Sequence, residues 1–324
     1  MTNLKKTTAL LLALLLVLML AATGCAGAKK KTLKIGVAQI TEHAALDAAR
    51  EGFLQCLADN GYVDGENVTF DVQNAQGDQS TLSTIADRFV SEECDLILAI
   101  ATPAAQAMAG KTTEIPILAT AVTDFEVANL VESNAVPGGN VSGTSDMNPI
   151  EAQVALIFEL FPEVQTVGCI YNGGEDNSVL QASLAKAEVE KAGRAYTEVT
   201  VTSTNDVQQA VSTLVTKCEA IYIPTDNTLA SAMPVVSEVT NAAGIPVICG
   251  ESGMVGGGGL ATLGINYFDL GYQTGEMAVR ILKDGAKIGE MPVEFATGFE
   301  PAFNADTAAA LGFTVPAQYA DSVS

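Results

Sequence analysis

The 324-residue sequence has no tryptophan, a single histidine at His43, and only 16 lysines and arginines against 38 aspartates and glutamates. Each shortage closes off a class of function. One histidine is too few for the imidazole-rich sets that hold zinc, so no metal is assigned. A net charge of −22 repels nucleic acid and anionic lipid head groups, and solubility is the simplest use of it. The sequence has no CxxC pair, and Cys56, Cys94, Cys169, Cys218 and Cys249 lie mostly in apolar stretches, where a thiol packs as a small hydrophobe. It contains neither G-x-S-x-G nor H-E-x-x-H, and the glycines from Gly256 to Gly259 are not followed by Lys-Ser or Lys-Thr. No catalytic residue, cofactor or phosphate loop is therefore assigned, and the expectation is a protein that is not an enzyme. What the chain has in plenty is apolar residues: 48% apolar with 17% charged excludes disorder.

At the N-terminus, Lys5 and Lys6 precede an uninterrupted apolar run from Ala9 to Ala22, followed by Thr23, Gly24 and Cys25. The run is shorter than the roughly 20 residues of a membrane span, and residues 1–24 read as a secretory signal. The Ala-Thr-Gly-Cys25 ending resembles the lipobox of bacterial lipoproteins, which implies cleavage before Cys25 and lipidation of its thiol. Residues 25–32, with Lys29, Lys30 and Lys31, are then a tether to the outer face of the cell membrane. Without the signal, 14 basic residues face 38 acidic ones, a net charge of −24.

From Leu33 onward, short apolar runs alternate with helical patterns. Lys34–Gln39 reads as a strand, and Leu46, Ala49, Phe53 and Leu57 recur at helical spacing behind it. Further strands are expected at Val68–Gln73, Asp95–Ile100 and Ile117–Val122, with helices at Thr81–Ser91 and Ala104–Ala109. The second half repeats the scheme, with strands at Thr166–Tyr171, Ala195–Val201, Ala220–Ile223, Pro246–Cys249 and Leu260–Leu263. Helices fall near Ser178–Ala192, Asn205–Thr216 and Thr228–Ala243. The fold class is α/β, two Rossmann-like lobes with parallel sheets and a cleft between them. Pro137–Thr144 reads as the first crossing between lobes, Leu270–Leu282 as a helix returning to the first, and Val293–Phe303 as the way back. The expected division is 33–143 plus 268–290 for lobe 1 and 144–267 plus 291–324 for lobe 2.

Ligands of open parallel sheets sit beyond the carboxyl ends of the strands. Those ends are polar here: Gln39 and Glu42, Thr102 with Ala104 behind it, Thr123 and Asp124, Asn172 with Ser178 behind it, Thr225, Asp226 and Asn227, Glu251, and Asn266. Each alone is an ordinary helix cap or turn residue; together they point to a small polar ligand. Helix starts at Thr102, Ala104 and Ser178 suit a carboxylate, and Asp124, Asp226 and Glu251 are candidates for an ammonium. Phe125, Tyr171 and Tyr267 are candidate walls for an apolar side chain, although such aromatics are more often core.

Several of these stretches resemble a known family: Lys34-Ile-Gly-Val-Ala-Gln-Ile-Thr-Glu-His43, Gln73-Asn-Ala-Gln-Gly-Asp78, Ala99-Ile-Ala-Thr-Pro-Ala-Ala-Gln106, Thr120-Ala-Val-Thr-Asp124, Gly138-Gly-Asn-Val-Ser-Gly-Thr-Ser-Asp146, Ile223-Pro-Thr-Asp-Asn227 and Ala261-Thr-Leu-Gly-Ile265. The family is that of the ABC transporter substrate-binding proteins, which includes tryptophan-binding lipoproteins. The resemblance implies a type I periplasmic-binding-protein fold and a monomer that closes on a small molecule and presents it to a membrane permease. Tryptophan is the implied ligand, with tyrosine or phenylalanine next. A branched-chain amino acid, a nucleobase or a sugar, or a sensory rather than a transport role, remain the alternatives from the residues alone.

Overall fold

The computed structural model describes residues 32–324. The signal, Cys25 and the tether up to Lys31 lie outside the described residues. Among the described residues, no helix is long and apolar enough to cross a membrane.

Two six-stranded sheets organise the chain. The first has the order β2-β1-β3-β4-β5-β11, with β1 Leu33–Gln39, β2 Val68–Asn74, β3 Leu96–Ile100, β4 Ile117–Val122, β5 Val141–Ser145 and β11 Glu294–Phe295, all parallel. The second has the order β7-β6-β8-β9-β10-β12, with β6 Thr166–Asn172, β7 Ala195–Val201, β8 Ala220–Ile223, β9 Val247–Cys249, β10 Ala261–Gly264 and β12 Glu300–Phe303. Only β12 runs antiparallel to its neighbour. Strands β3 and β4 are buried on both faces, which is why their sequences read as unbroken apolar runs. Alternation shows where a sheet separates two cores: in β8, Ala220 and Tyr222 join one cluster of the second lobe and Ile221 and Ile223 the other.

Helices α1 Ala44–Asp59, α2 Gln79–Ser91 and α3 Thr102–Ala109 follow β1, β2 and β3. In the second lobe, α4 Ile150–Leu160 precedes β6, and α5 Asp176–Lys191 and α6 Thr204–Leu214 follow β6 and β7. The single helix expected over Thr228–Ala243 is two, α7 Asn227–Ser231 and α8 Met233–Ala243. Pro234 supplies the reason: it has no N–H to continue α7 and its ring clashes with a carbonyl four residues back, but it fits the first turn of α8. The remaining helices are α9 Ser252–Gly256, α10 Tyr267–Asp284 and α11 Ala305–Ala310.

α10 returns to the first lobe and lies on α1. A Cβ on Gly52 would fall 2.0 Å from the Phe268 carbonyl oxygen, and one on Gly271 would fall 1.9 Å from that of Ala49, so only glycine permits this backbone approach. The chain leaves the first sheet through Asp146–Pro149, returns through Ile265 and Asn266, and crosses a third time through Ala296–Phe299. The first crossing therefore follows Ser145 and does not lie in Pro137–Thr144, whose last four residues belong to β5. The third crossing likewise follows β11, which keeps Val293 to Phe295 with the first lobe. β5 carries no apolar run, yet all of it is buried, because its hydroxyls are satisfied internally. Ser142 donates to the Met291 carbonyl at 2.8 Å, Thr144 bonds Thr120 at 3.0 Å and Thr274 at 2.7 Å, and Ser145 donates to the Thr123 carbonyl at 2.8 Å.

Candidate functional site

The carboxyl ends of the two sheets face each other across a tight cavity of about 20 Å³, room for little more than a water molecule, so a larger ligand enters only as the lobes part. From the first lobe it is lined by His43, Leu46, Ala121, Thr123 and Tyr267, from the second by Asn177, Thr225, Asp226, Asn227, Glu251 and Met254, and from the first crossing by Asp146. No lysine or arginine lines it. Four acids in and beside it, Asp146, Glu175, Asp226 and Glu251, are each no more than 5% exposed. Buried charges need partners, so the partners of each decide its role.

Three of the four are held by backbone amides at helix starts. Glu251 accepts from the Met254 N–H at 2.8 Å and from that of Gly253. Asp226 caps α7 through the Leu229 N–H at 2.8 Å and also takes the Asn172 N–H at 2.6 Å. Glu175 holds the N–H groups of Asn227 and Thr228, each at 3.2 Å, and the Thr228 hydroxyl at 3.0 Å. Asp146 alone is bound only by side-chain hydroxyls, from Tyr267 at 2.8 Å and Thr123 at 3.2 Å. Burial pushes the Asp146 carboxyl up to about 6 in spite of these two bonds. It pushes Glu251 up to about 7 against the pull of its two amides, and raises Asp226, whose ionisation Glu175 also opposes. Burial lowers the His43 imidazole against the opposing pull of Asn227, whose Oδ1 lies 3.3 Å from Nε2.

The other expected residues divide by location. Thr102 and Ala104, in the first turn of α3, are buried, and the Thr102 hydroxyl has no partner. Ala101, just before them, and Ala121, in the cavity wall, hold positive φ of 83° and 55°, strain that gathers at ligand sites. Ser178 is buried beside Asn177, whose Oδ1 is also unpartnered. Gln39 is turned into a network within its own lobe, donating to Asp47 at 2.9 Å and accepting from Arg50. Asp124 does not line the cavity; it caps a turn through the Glu126 and Val127 N–H groups, each at 2.9 Å. Glu42 and Asn266 line an outer groove on one side of the cleft mouth and Asn172 lines the opening on the other. Of the three aromatics, Phe125 and Tyr171 belong to the two lobe cores and only Tyr267 reaches the cavity. Asp146, Asn177 and Glu175 were not among the expected residues. Asp146 directly follows β5, a strand without an apolar run to announce it, and the fold brings it between Thr123 and Tyr267.

The lobes are drawn together. Besides the His43–Asn227 contact, Thr41 and Ser231 hydroxyls lie 3.4 Å apart, Gln106 donates to Asp176 at 2.8 Å and Gln181 donates to Thr123 at 3.0 Å.

The model of the family described as ABC transporter substrate binding protein matches residues 34–323. A tyrosine-binding protein of Clostridioides difficile (strain R20291) is 45% identical over 87% of this chain and 81% of its own length. A solved domain from Streptococcus pneumoniae in complex with L-Trp is 39% identical, with a TM-score of 0.87 over 91% of this chain and 100% of its own. The ligand-free, open structure of a substrate binding protein with adhesive properties from Clostridium difficile is 45% identical but has a TM-score of only 0.69, over 90% of this chain and 98% of its own. Higher identity with lower overlap to an open form, and lower identity with higher overlap to a ligand complex, agree with the closed lobes described above. Solved proteins too distant in sequence to argue more than the fold share the two-lobe, type I periplasmic-binding architecture.

Proposed function

The chain belongs to the ABC transporter substrate-binding proteins, and we propose that it captures an aromatic amino acid in the interlobe cavity, tyrosine or tryptophan, for a membrane permease. The observation that carries this is Asp146. It is a buried carboxylate in a cavity lined by no lysine or arginine, and unlike its three neighbours it is held by no helix-start amide, so an α-ammonium is the partner its position calls for. The acid of choice is thus Asp146 and not Asp124, Asp226 or Glu251. The ligand carboxylate goes to the start of α3, where the Thr102 and Ala104 N–H groups lack intrahelical acceptors and the Thr102 hydroxyl is free. The aromatic side chain rests on the two relatives, one named for tyrosine and one solved with L-Trp. Binding and closure need no chemistry, and on this reading the protein is a monomeric receptor, not an enzyme. It is carried on the outer face of the membrane by lipidated Cys25.

With no tryptophan in the chain, indole emission reports the ligand alone. Titrating L-tryptophan into unfolded and refolded protein should give a saturable, shifted emission that L-tyrosine displaces and glycine does not. Displacement by L-leucine as readily as by L-tyrosine would remove the aromatic assignment. Cys25→Ala should move the protein from the membrane to the soluble fraction, since lipid chains hold it there.

A further inference from the structure

Gln181 lies on α5, fully buried and outside the cavity wall, against two threonines that line the cavity, one from each lobe. Its Nε2 donates to Thr123 of the first lobe at 3.0 Å and to the Thr225 hydroxyl of the second, while its Oε1 accepts the Thr225 N–H at 3.2 Å. That last bond fixes which end of the amide is oxygen, because an N–H can only donate. Nε2 therefore faces both hydroxyls, and both must accept from it. The Thr123 proton is then committed to Asp146 Oδ1, 3.2 Å away. The Thr225 proton has no acceptor among the described residues, and Thr225 stands in the cavity wall.

We infer that Gln181 is the positioning residue of the closed cleft, a clamp that joins Thr123 to Thr225 across the lobes and sets the direction of both hydroxyl protons. It keeps one Asp146 oxygen supplied by Thr123 and turns Thr225 into a donor for a ligand oxygen. Of the four polar contacts between the lobes it is the one made by a fully buried side chain, and opening the cleft breaks it. Gln181 should thus govern how long a ligand is held more than how fast it arrives. The inference rests on reading the cavity as the ligand cleft.

The test is a double-mutant cycle of Gln181→Met and Thr123→Val read by stopped-flow binding of L-tyrosine. Gln181→Met should raise the dissociation rate ten- to a hundred-fold with the association rate within about threefold, and in the Thr123→Val background the same change should cost less than about threefold. Equal effects in both backgrounds would mean that Gln181 serves only its own lobe through Thr225 and would overturn the clamp, as would an unchanged dissociation rate. If Gln181→Met does not fold, Gln181→Asn, which cannot span both threonines, should show the same split. The wild-type titration decides the aromatic reading separately: a protein that takes L-leucine instead of L-tyrosine sinks that reading, and the cycle run with L-leucine still decides the clamp.

Discussion

The two lobes have nearly the same sheet order and opposite chemistry at the face they share. In the second lobe, strand ends lead to acids spent on helix starts: Glu175 and Asp226 take N–H groups in the first turn of α7, and Glu251 those of α9. The first lobe places hydroxyls and strained backbone there, with Thr102, Thr123, Ala101 and Ala121, and its strand-end acids are placed elsewhere: Asp124 is spent on a turn, Asp78 caps α2 and Glu42 lines the outer groove. An acid that caps a helix is already supplied with donors and has little to offer a ligand. The lesson is that burial and charge do not mark a ligand partner; unspent acceptor capacity does. By that measure the receptor for a cation belongs to neither lobe. On the proposed reading it is Asp146, at the crossing between them, whose two donors are both hydroxyls, one at the end of β4 and one at the start of α10.

The sharpest way to break this comparison is to neutralise the acids one at a time. Asp146→Asn should weaken L-tyrosine binding by roughly ten-fold to over a hundred-fold, the equivalent of a hydrogen bond to a charged group at about 1.5–3 kcal/mol. Glu251→Gln and Asp226→Asn should weaken binding by less and lower the thermal midpoint of the second lobe, since each acid accepts N–H groups on both oxygens and an amide keeps only one acceptor. Calorimetry that ranks Glu251 or Asp226 above Asp146 would place the receptor in the second lobe and end the contrast.

A smaller effect follows from pH. The Asp146 carboxyl, raised to about 6 in the closed, ligand-free protein, binds a proton more tightly than an ordinary carboxylate near 3.9. The stability it lends that form is therefore full below about pH 4 and lost as pH rises through about 6, with Glu251 extending the loss to about 7. An ammonium reverses the preference, since it favours the ionised carboxylate and displaces the proton. Affinity for L-tyrosine should accordingly fall about tenfold between pH 7 and pH 5, while Asp146→Asn flattens the profile. A wild-type profile already flat over that span would remove Asp146 from the site.

Much of this was legible in residue pattern, and the parts that were not share a cause. Apolar runs such as Leu96–Ile100 announce a doubly buried strand, and Leu270, Met277 and Ala278 at helical spacing announce the returning helix. β5 hid because its burial is accomplished by hydroxyls that bond one another across 24 and 130 residues of sequence. Pro234 was visible, and its break in the helix could have been read from it alone. The site was legible as a ring of polar strand ends, but not which members were free, since saturation depends on local turns. Asp124 and Asp226 look alike as Thr-Asp pairs after a strand, and only the latter lines the cavity.

Asp124 therefore offers the finest test, and the smallest expected effect. Both its neighbours in the chain are buried, yet its own side chain is half-buried and occupied, with one oxygen taking the N–H groups of Glu126 and Val127 at 2.9 Å each. That turn closes the loop after β4 and stands outside the cavity wall. Asp124→Ala should loosen the turn, with slightly faster amide exchange at Glu126 and Val127, and leave the affinity for L-tyrosine within about twofold of wild type. Asp124→Asn should do less still, because an amide oxygen can accept the same two bonds. The pair of variants separates the two meanings of an acid at a strand end: a cap tolerates the amide, whereas an ammonium receptor loses its charge. If Asp124→Asn costs tenfold or more in affinity, the acid of the first lobe is a receptor after all, and the division of chemistry between the lobes must be redrawn.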